Sequence, residues 1–297
     1  MDVNRLRILR ELADRGTVAA TAQALSMTPS AVSQQLKILS REAGVGLLEP
    51  DGRRLRLTDA GQALVVRADD VMAALERASA EMDAYRGSPR GRVRVALFPS
   101  GAALLLPALL DSLSDSGVDV QARDEDVPAS AVPLLLADYD VVLTHRDERA
   151  PDTSSPRVKA EPLMREPIDL ILPPGHPLAG QDSVRAEQLA DESWISVRGG
   201  FPVDDVLISV AAVTGVQPRV TMRINDFGVI EQLVAGGHGI ALLPRHAITS
   251  PHVDRVPLAG VRAARIYELA YRPAADNLPA VATVLQAFRD VARRIED

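Results

Sequence analysis

Four polar side chains, Ser30, Ser33, Gln34 and Lys37, gather on one side of a short segment that follows Thr28-Pro29. Serine and glutamine can hydrogen-bond the edges of bases, and lysine can hold a phosphate. Thr28 stands where a helix N-cap would, and a proline at the first helical position forfeits no hydrogen bond. Val32, Leu36 and Leu39 recur at spacings of four and three, which gives the same helix an apolar side. A second polar group follows in Pro50-Asp51-Gly52-Arg53-Arg54-Leu55-Arg56-Leu57-Thr58. The glycine turn and the alternation predict a two-stranded wing, with Leu55 and Leu57 inward and Arg54 and Arg56 outward. Arg53, Arg54 and Arg56 would suit phosphate or minor-groove contact.

Groups for covalent or metal chemistry are sparse. There is no cysteine, which excludes disulfides, thiolate catalysis and cysteine-held metal. The five histidines, His145, His176, His238, His246 and His252, show no metal-ligand spacing and read as surface or loop residues. The only lysines are Lys37 and Lys159, and Lys159 sits in a polar, proline-flanked loop that suits no Schiff base. Gly236-Gly237-His238-Gly239 lies between a helix and a strand, the wrong order for a dinucleotide loop, and no Gly-x-Ser-x-Gly elbow occurs. No catalytic residue, metal or cofactor is expected, and a DNA-binding head fused to an enzyme is the weaker alternative.

The elements that must carry the first group are two short helices joined by a tight turn. Thr17 can cap the first, and Ala20, Ala24 and Leu25 allow close approach of the second. This is how a helix-turn-helix presents a recognition helix to the major groove; a helical hairpin with a solvated polar face is the plainer alternative. Gly44-Val45-Gly46-Leu47-Leu48 then ends the recognition helix at glycine, and the wing follows.

From Leu6 to Ala63 this order of motifs resembles the LysR-type transcriptional regulators. The match rests on Pro-Ser-Ala-Val-Ser-Gln-Gln-Leu from Pro29, Gly-Val-x-Leu-Leu from Gly44, and Gly-Arg-Arg-x-Arg-Leu-Thr-x-Ala-Gly from Gly52. The resemblance implies an α/β protein: an N-terminal winged helix-turn-helix, a long linker helix that dimerises, and a C-terminal two-lobe effector domain like a periplasmic binding protein. It implies double-stranded DNA, a small-molecule effector and a second copy (homodimer or homotetramer) as partners, with RNA polymerase as a further candidate. Thr28, Ser30, Ser33, Gln34 and Lys37, with the wing arginines, would face DNA.

The 297 residues suit about two domains, and 46% apolar with 25% charged content is that of a soluble globular chain. Charged residues interrupt the N-terminus, and no apolar run is long enough for a membrane span, so a cytoplasmic protein is expected. The net charge of −7 is unevenly placed. Residues 1–58 hold nine basic side chains (Arg5, Arg7, Arg10, Arg15, Lys37, Arg41, Arg53, Arg54, Arg56) against six acidic ones (Asp2, Glu11, Asp14, Glu42, Glu49, Asp51). A locally positive head on an acidic body keeps phosphate attraction where it is useful.

Thr58 can cap a long helix. Leu64, Ala68, Val71, Leu75, Ala78, Met82 and Tyr85 then repeat at alternating spacings of four and three, a coiled-coil seam; a lone amphipathic helix packed on its own domain is the alternative. The reading therefore divides the chain into a head over 1–58, a linker helix over 59–86, a hinge over 87–91 and an effector domain over 92–297. In the last, strand and helix patterns alternate, which predicts parallel sheets, and Pro107 should break or kink the first helix. Lobe I is expected over 92–163 and 268–297, and lobe II over 164–267.

Ligands in such folds sit past strand ends and at helix N-termini. That singles out Ser100 and Gly101, Thr144 and His145, Arg198, Gly199, Gly200 and Phe201, and Asn225, Asp226 and Phe227, each of which could equally serve a cap or turn. The donors among them suggest an anionic or zwitterionic effector.

Overall fold

The computed structural model describes residues 1–51, 54–85 and 91–296. The head is built from α1 (Val3–Arg15), α2 (Val18–Ala24) and α3 (Pro29–Ala43), then the hairpin β1 (Leu48–Asp51) and β2 (Arg54–Leu57). Thr17 and Thr28 cap α2 and α3 by accepting from the N–H groups of Ala20 and Ala31, each at 3.2 Å. Leu6, Leu9, Leu12, Val32, Leu36, Leu39 and Leu47 form the head's core. The wing differs from expectation at Leu55, which is exposed. Leu55 and Leu57 share a face of the strand, but only Leu57 lies near enough to the helices to pack on the core. Arg53 lies outside the described residues, as do the side chains of Arg54 and Tyr85 and most of the hinge, 87–90.

Helix α4 (Asp59–Tyr85) leaves the wing with Gly61 packed against Leu47. A Cβ at Gly61 would collide with the Leu47 carbonyl, so the close approach needs glycine there. The buried stripe of α4 is Val65, Ala68, Asp69, Met72 and Ala73. It is offset from the predicted seam because the helix must first cover its own head. Ala68 therefore belongs to the head's core, Leu64 and Val71 are half-buried on it, and Leu75, Ala78 and Met82 remain exposed.

The body follows as β3 (Gly91–Leu97), α5 (Pro99–Leu113), β4 (Val118–Asp124), α6 (Val132–Leu135), β5 (Val141–Asp147), β6 (Lys159–Leu172), β7 (Val184–Arg185), β8 (Ser193–Ser196), α7 (Pro202–Thr214), β9 (Arg219–Arg223), α8 (Phe227–Ala235), β10 (Ile240–Pro244), β11 (Asp254–Ala259), β12 (Ala264–Tyr271) and α9 (Pro279–Glu296). The main strand order is β4-β3-β5-β12-β6-β10-β8-β9. The sheet is mixed rather than parallel: β12 runs antiparallel to both β5 and β6, and β6 is antiparallel to β10 and β11. Strand β6 serves both lobes. Residues 159–167 pair with β12, and Ile168 to Leu172 pair with β10 and β11. The chain thus crosses near 167–168 and returns between β11 and β12, so β12 and its Arg265 belong to the lobe I sheet.

Each lobe has its own core. Lobe I packs α5 and α9 on β3, β5 and β12 through Leu105, Leu109, Tyr267, Leu285 and Phe288. Lobe II packs α7 and α8 on β6, β8 and β10 through Trp194, Val206, Ile230 and Leu242. Helix α5 is not broken at Pro107, because Leu105 and Leu109 on either side are fully buried and packing outweighs the lost backbone bond. Gly239 lets β10 approach β8; its φ is +152°, and a Cβ there would stand 2.6 Å from the Ser193 carbonyl oxygen.

Candidate DNA-reading face and effector cleft

On α3, Thr28, Ser30, Gln34 and Lys37 are exposed and Ser33 is half-buried, opposite the buried Val32, Leu36 and Leu39. The Thr28 hydroxyl shares a hydrogen bond with that of Ser30 at 3.0 Å, so both are partly engaged by the cap. Gln34 and Lys37 show no hydrogen bond to other described side chains, whereas Gln35 is held by Arg5. On the wing, Arg56 lies opposite Glu49 and pairs with it at 2.6 Å, which reduces its free charge. This face can read base edges through Gln34 and hold phosphate through Lys37.

A cavity of about 590 Å³ lies between the lobes. Arg265 lines it and is 1% exposed, and Glu166, 0% exposed, lies behind Arg265. Arg265 Nε donates to Glu166 Oε2 at 2.7 Å, and its Nη2 donates to Tyr267 Oη at 2.7 Å and to Ser100 Oγ at 3.0 Å. Tyr267 Oη donates onward to Glu166, whose other oxygen accepts the His246 N–H at 2.7 Å. The guanidinium also stacks on Phe98 and Tyr267, 5.0 and 4.9 Å from their centroids. A guanidinium only donates, so the Ser100 oxygen accepts and its own proton is left to donate. Arg265 Nη1 has no hydrogen-bond partner among the described residues, on a residue that lines the cavity.

His145 is buried against Phe98, with ring centroids 4.1 Å apart. Desolvation, aided by the charge of Arg265, holds its pKa well below 6.5 and keeps it neutral. Its Nδ1 is buried without a partner among the described residues. Helices α5 and α7 both begin at this cavity with a phenylalanine at the N-cap, Phe98 and Phe201, and neither has a side-chain cap. The first turn of α7 carries Asp204 and Asp205, whereas that of α5 carries no acid, so the positive end of α5 is the less compensated one. Phe98, Leu104, Val197, Phe201, Val203 and Phe227 supply apolar walls.

Of the residues singled out from the sequence for the effector, Ser100, His145, Phe201, Asn225, Asp226 and Phe227 line this cavity. Gly101, Thr144, Arg198, Gly199 and Gly200 do not. Alternate strand residues face opposite ways, so only one of Thr144 and His145 can reach it. Gly101 lies beneath the Phe98 ring, where a Cβ would come within 2.5 Å. Arg198 is held at the mouth, where Asp126 accepts from Arg198 Nη2 at 3.2 Å and from Asn225 Nδ2 at 2.7 Å. Asp226 caps α8 by accepting from the Val229 N–H. Sequence reasoning missed Arg265, Glu166, Asp126 and Phe98. The available signal was opposite charges set inside apolar strand patterns, Glu166 beside Ile168-Asp-Leu-Ile-Leu and Arg265 in Arg-Ile-Tyr-Glu-Leu-Ala-Tyr.

These parts define a DNA-binding head joined to a two-lobe ligand-binding domain. Residues 3–62 match the bacterial regulatory helix-turn-helix protein, lysR family, and residues 86–293 match the LysR substrate binding domain. The chain belongs to the LysR family of transcriptional regulators. It is 28% identical over 263 residues to the transcriptional dual regulator GltC of Bacillus subtilis, covering 87% of this chain and 86% of that one. It is 27% identical to a probable hydrogen peroxide-inducible genes activator of Streptomyces viridosporus, covering 98% and 96%. Its fold is similar to full-length OxyR from Pseudomonas aeruginosa (21% identity, 99% and 95% coverage, TM-score 0.64) and to CbnR complexed with its target DNA (22% identity, 98% and 100% coverage, TM-score 0.54).

Proposed function

We propose that this regulator is a cytoplasmic, non-enzymatic protein that reads DNA through Ser30, Ser33, Gln34 and Lys37, with Thr28 and the wing arginines as backbone contacts. Two copies pair through the exposed Leu75, Ala78 and Met82 face of α4, as a homodimer or within a homotetramer, and RNA polymerase is the expected partner once DNA is bound. An effector in the inter-lobe cavity biases the arrangement of the heads. The observation that carries the effector reading is the set of donors without protein acceptors, Arg265 Nη1, the Ser100 hydroxyl and the first turn of α5, facing apolar walls. They favour a molecule with an accepting or anionic head and an apolar body, which keeps the expected anion but moves its partner from Arg198 to Arg265. Several relatives, that of Streptomyces viridosporus among them, are named for hydrogen peroxide; with no cysteine among its 297 residues, this chain would respond by reversible binding rather than through a thiol.

Selection of bound genomic fragments by the purified protein, at stated salt, tests the central claim. Recovery of a spaced inverted repeat is the expected result. Sequence-blind binding that persists when cell extract supplies the effector would overturn it.

A further inference from the structure

Head, linker helix and lobe I meet at a buried ionic cluster. Asp14, in the last turn of α1, and Asp69, on α4, have side chains only 2% and 5% exposed. Arg157, in the loop between β5 and β6, reaches Asp14 at 2.9 Å and Asp69 at 2.8 Å. Arg272, just past β12, reaches Asp14 at 2.6 Å and Asp69 at 3.4 Å, and donates to the Leu136 carbonyl. Each carboxylate is thus shared by two guanidiniums from the body. At the rim, Arg15 of α1 grips Asp138 of lobe I with two bonds of 2.6 and 2.8 Å.

Burying two carboxylates is costly unless they are paired, and lobe I supplies the closest pairing. Beside the cluster, the apolar surfaces of the two parts do not close on each other. Leu57, Val65 and Val66 face Pro133, Leu134 and Val158 across a cavity of about 540 Å³. Charge rather than apolar packing therefore dominates this contact, and such a contact can be released. The polar face of α3 takes no part, so the contact sets the direction of the head without covering its reading surface.

One strand connects the cluster to the effector cavity. Arg265 lies near the start of β12 and Arg272 one residue beyond its end, about 23 Å apart at the rise of an extended strand. Midway, the buried Glu268 accepts from Arg146 and from Thr153, which anchors the loop that carries Arg157. A shift of β12 would move both guanidiniums together.

We propose that Asp14, Asp69, Arg157 and Arg272 form a releasable latch that fixes the DNA-reading head against lobe I of the same chain, set through β12 by the state of the effector cavity. The link to the cavity rests on the effector reading; the latch does not. The chain has no cysteine, so Arg15→Cys with Asp138→Cys places the only two thiols at the rim. A short bis-maleimide should then join them in the full-length protein, giving a product that migrates as a monomer under denaturing conditions. Arg157→Gln with Arg272→Gln should slow that reaction at least tenfold. The set Arg10→Gln, Asp14→Asn, Asp69→Asn, Arg157→Gln, Arg272→Gln, which also removes the Arg10 that lies 3.9 Å from Asp69 and so leaves none of these pairs half-charged, should do the same while keeping a cooperative unfolding transition. An unchanged rate in the folded five-fold variant, or a product of twice the mass in the parent, would overturn the latch. Arg265→Met with Glu166→Gln, at the other end of β12, should change the rate at least threefold; no change would overturn the coupling. None of these readouts needs an effector, so an empty cleft and a missing latch are told apart.

Discussion

Arg265 carries more of the cleft's chemistry than any residue chosen from the sequence. It is a cation kept inside lobe I because Glu166 balances it and Tyr267, Ser100 and Phe98 hold the rest of the guanidinium apart from Nη1. Removing one member of such a pair strands the other, at about 3–5 kcal/mol. Arg265→Met is expected to destabilise the chain by about that much, and adding Glu166→Gln should recover most of it, as read from urea unfolding. His145 makes a separate prediction. Its folded pKa lies below 6.5, so as the pH falls the unfolded chain takes up the proton first. Full stability is present above pH 6.5 and is lost from there down towards the folded pKa. His145→Phe should flatten that part of the profile, and an identical slope in both proteins would show that His145 does not bury neutral.

At the scale of elements, α4 resolves a conflict between two uses of one helix. Its N-terminal half covers the head, which claims Val65, Ala68 and Met72; its C-terminal half leaves Leu75 and Met82 exposed. Leu75→Glu with Met82→Glu is expected to reduce the oligomer by at least one step in sedimentation without lowering the unfolding midpoint, since both are exposed and neither belongs to a core among the described residues. On α3 Gln34 and Lys37 should behave differently. Gln34→Ala should relax discrimination between DNA sequences by about 1–3 kcal/mol, visible as a narrowed ratio of specific to random binding. Equal losses on both would show that Gln34 reads no base.

For the whole molecule, the placement of charge is the governing feature. An acidic body joined to a basic head weakens general attraction to DNA, so binding depends on the few cations that reach the backbone. Lys37→Ala should weaken binding to all sequences and reduce the salt slope by about one. The same balance acts inside the chain, where basic residues of the acidic body hold acidic residues of the basic head. Arg272 and Asp14 lie 258 positions apart, and no local pattern in the sequence announces that pairing.

The head was legible in the sequence because its determinants are local: a threonine before a helix, a proline at its first turn, glycines after it, and apolar spacings of three and four. The two-lobe body was legible as alternating strands and helices with a family resemblance, and six residues chosen for the cleft do line it. Strand direction was not legible, because apolar runs in β6 and β12 look alike whether their neighbours run parallel or antiparallel. The residues that tertiary structure alone decided are those whose partners are remote. Arg265 meets Ser100 across 165 positions, and Asp126 meets Asn225 across 99. A charge inside a strand shows that something must balance it, because an unpaired charge in low dielectric is too costly to keep. Only the folding of distant strands and loops onto one another decides which residue does so.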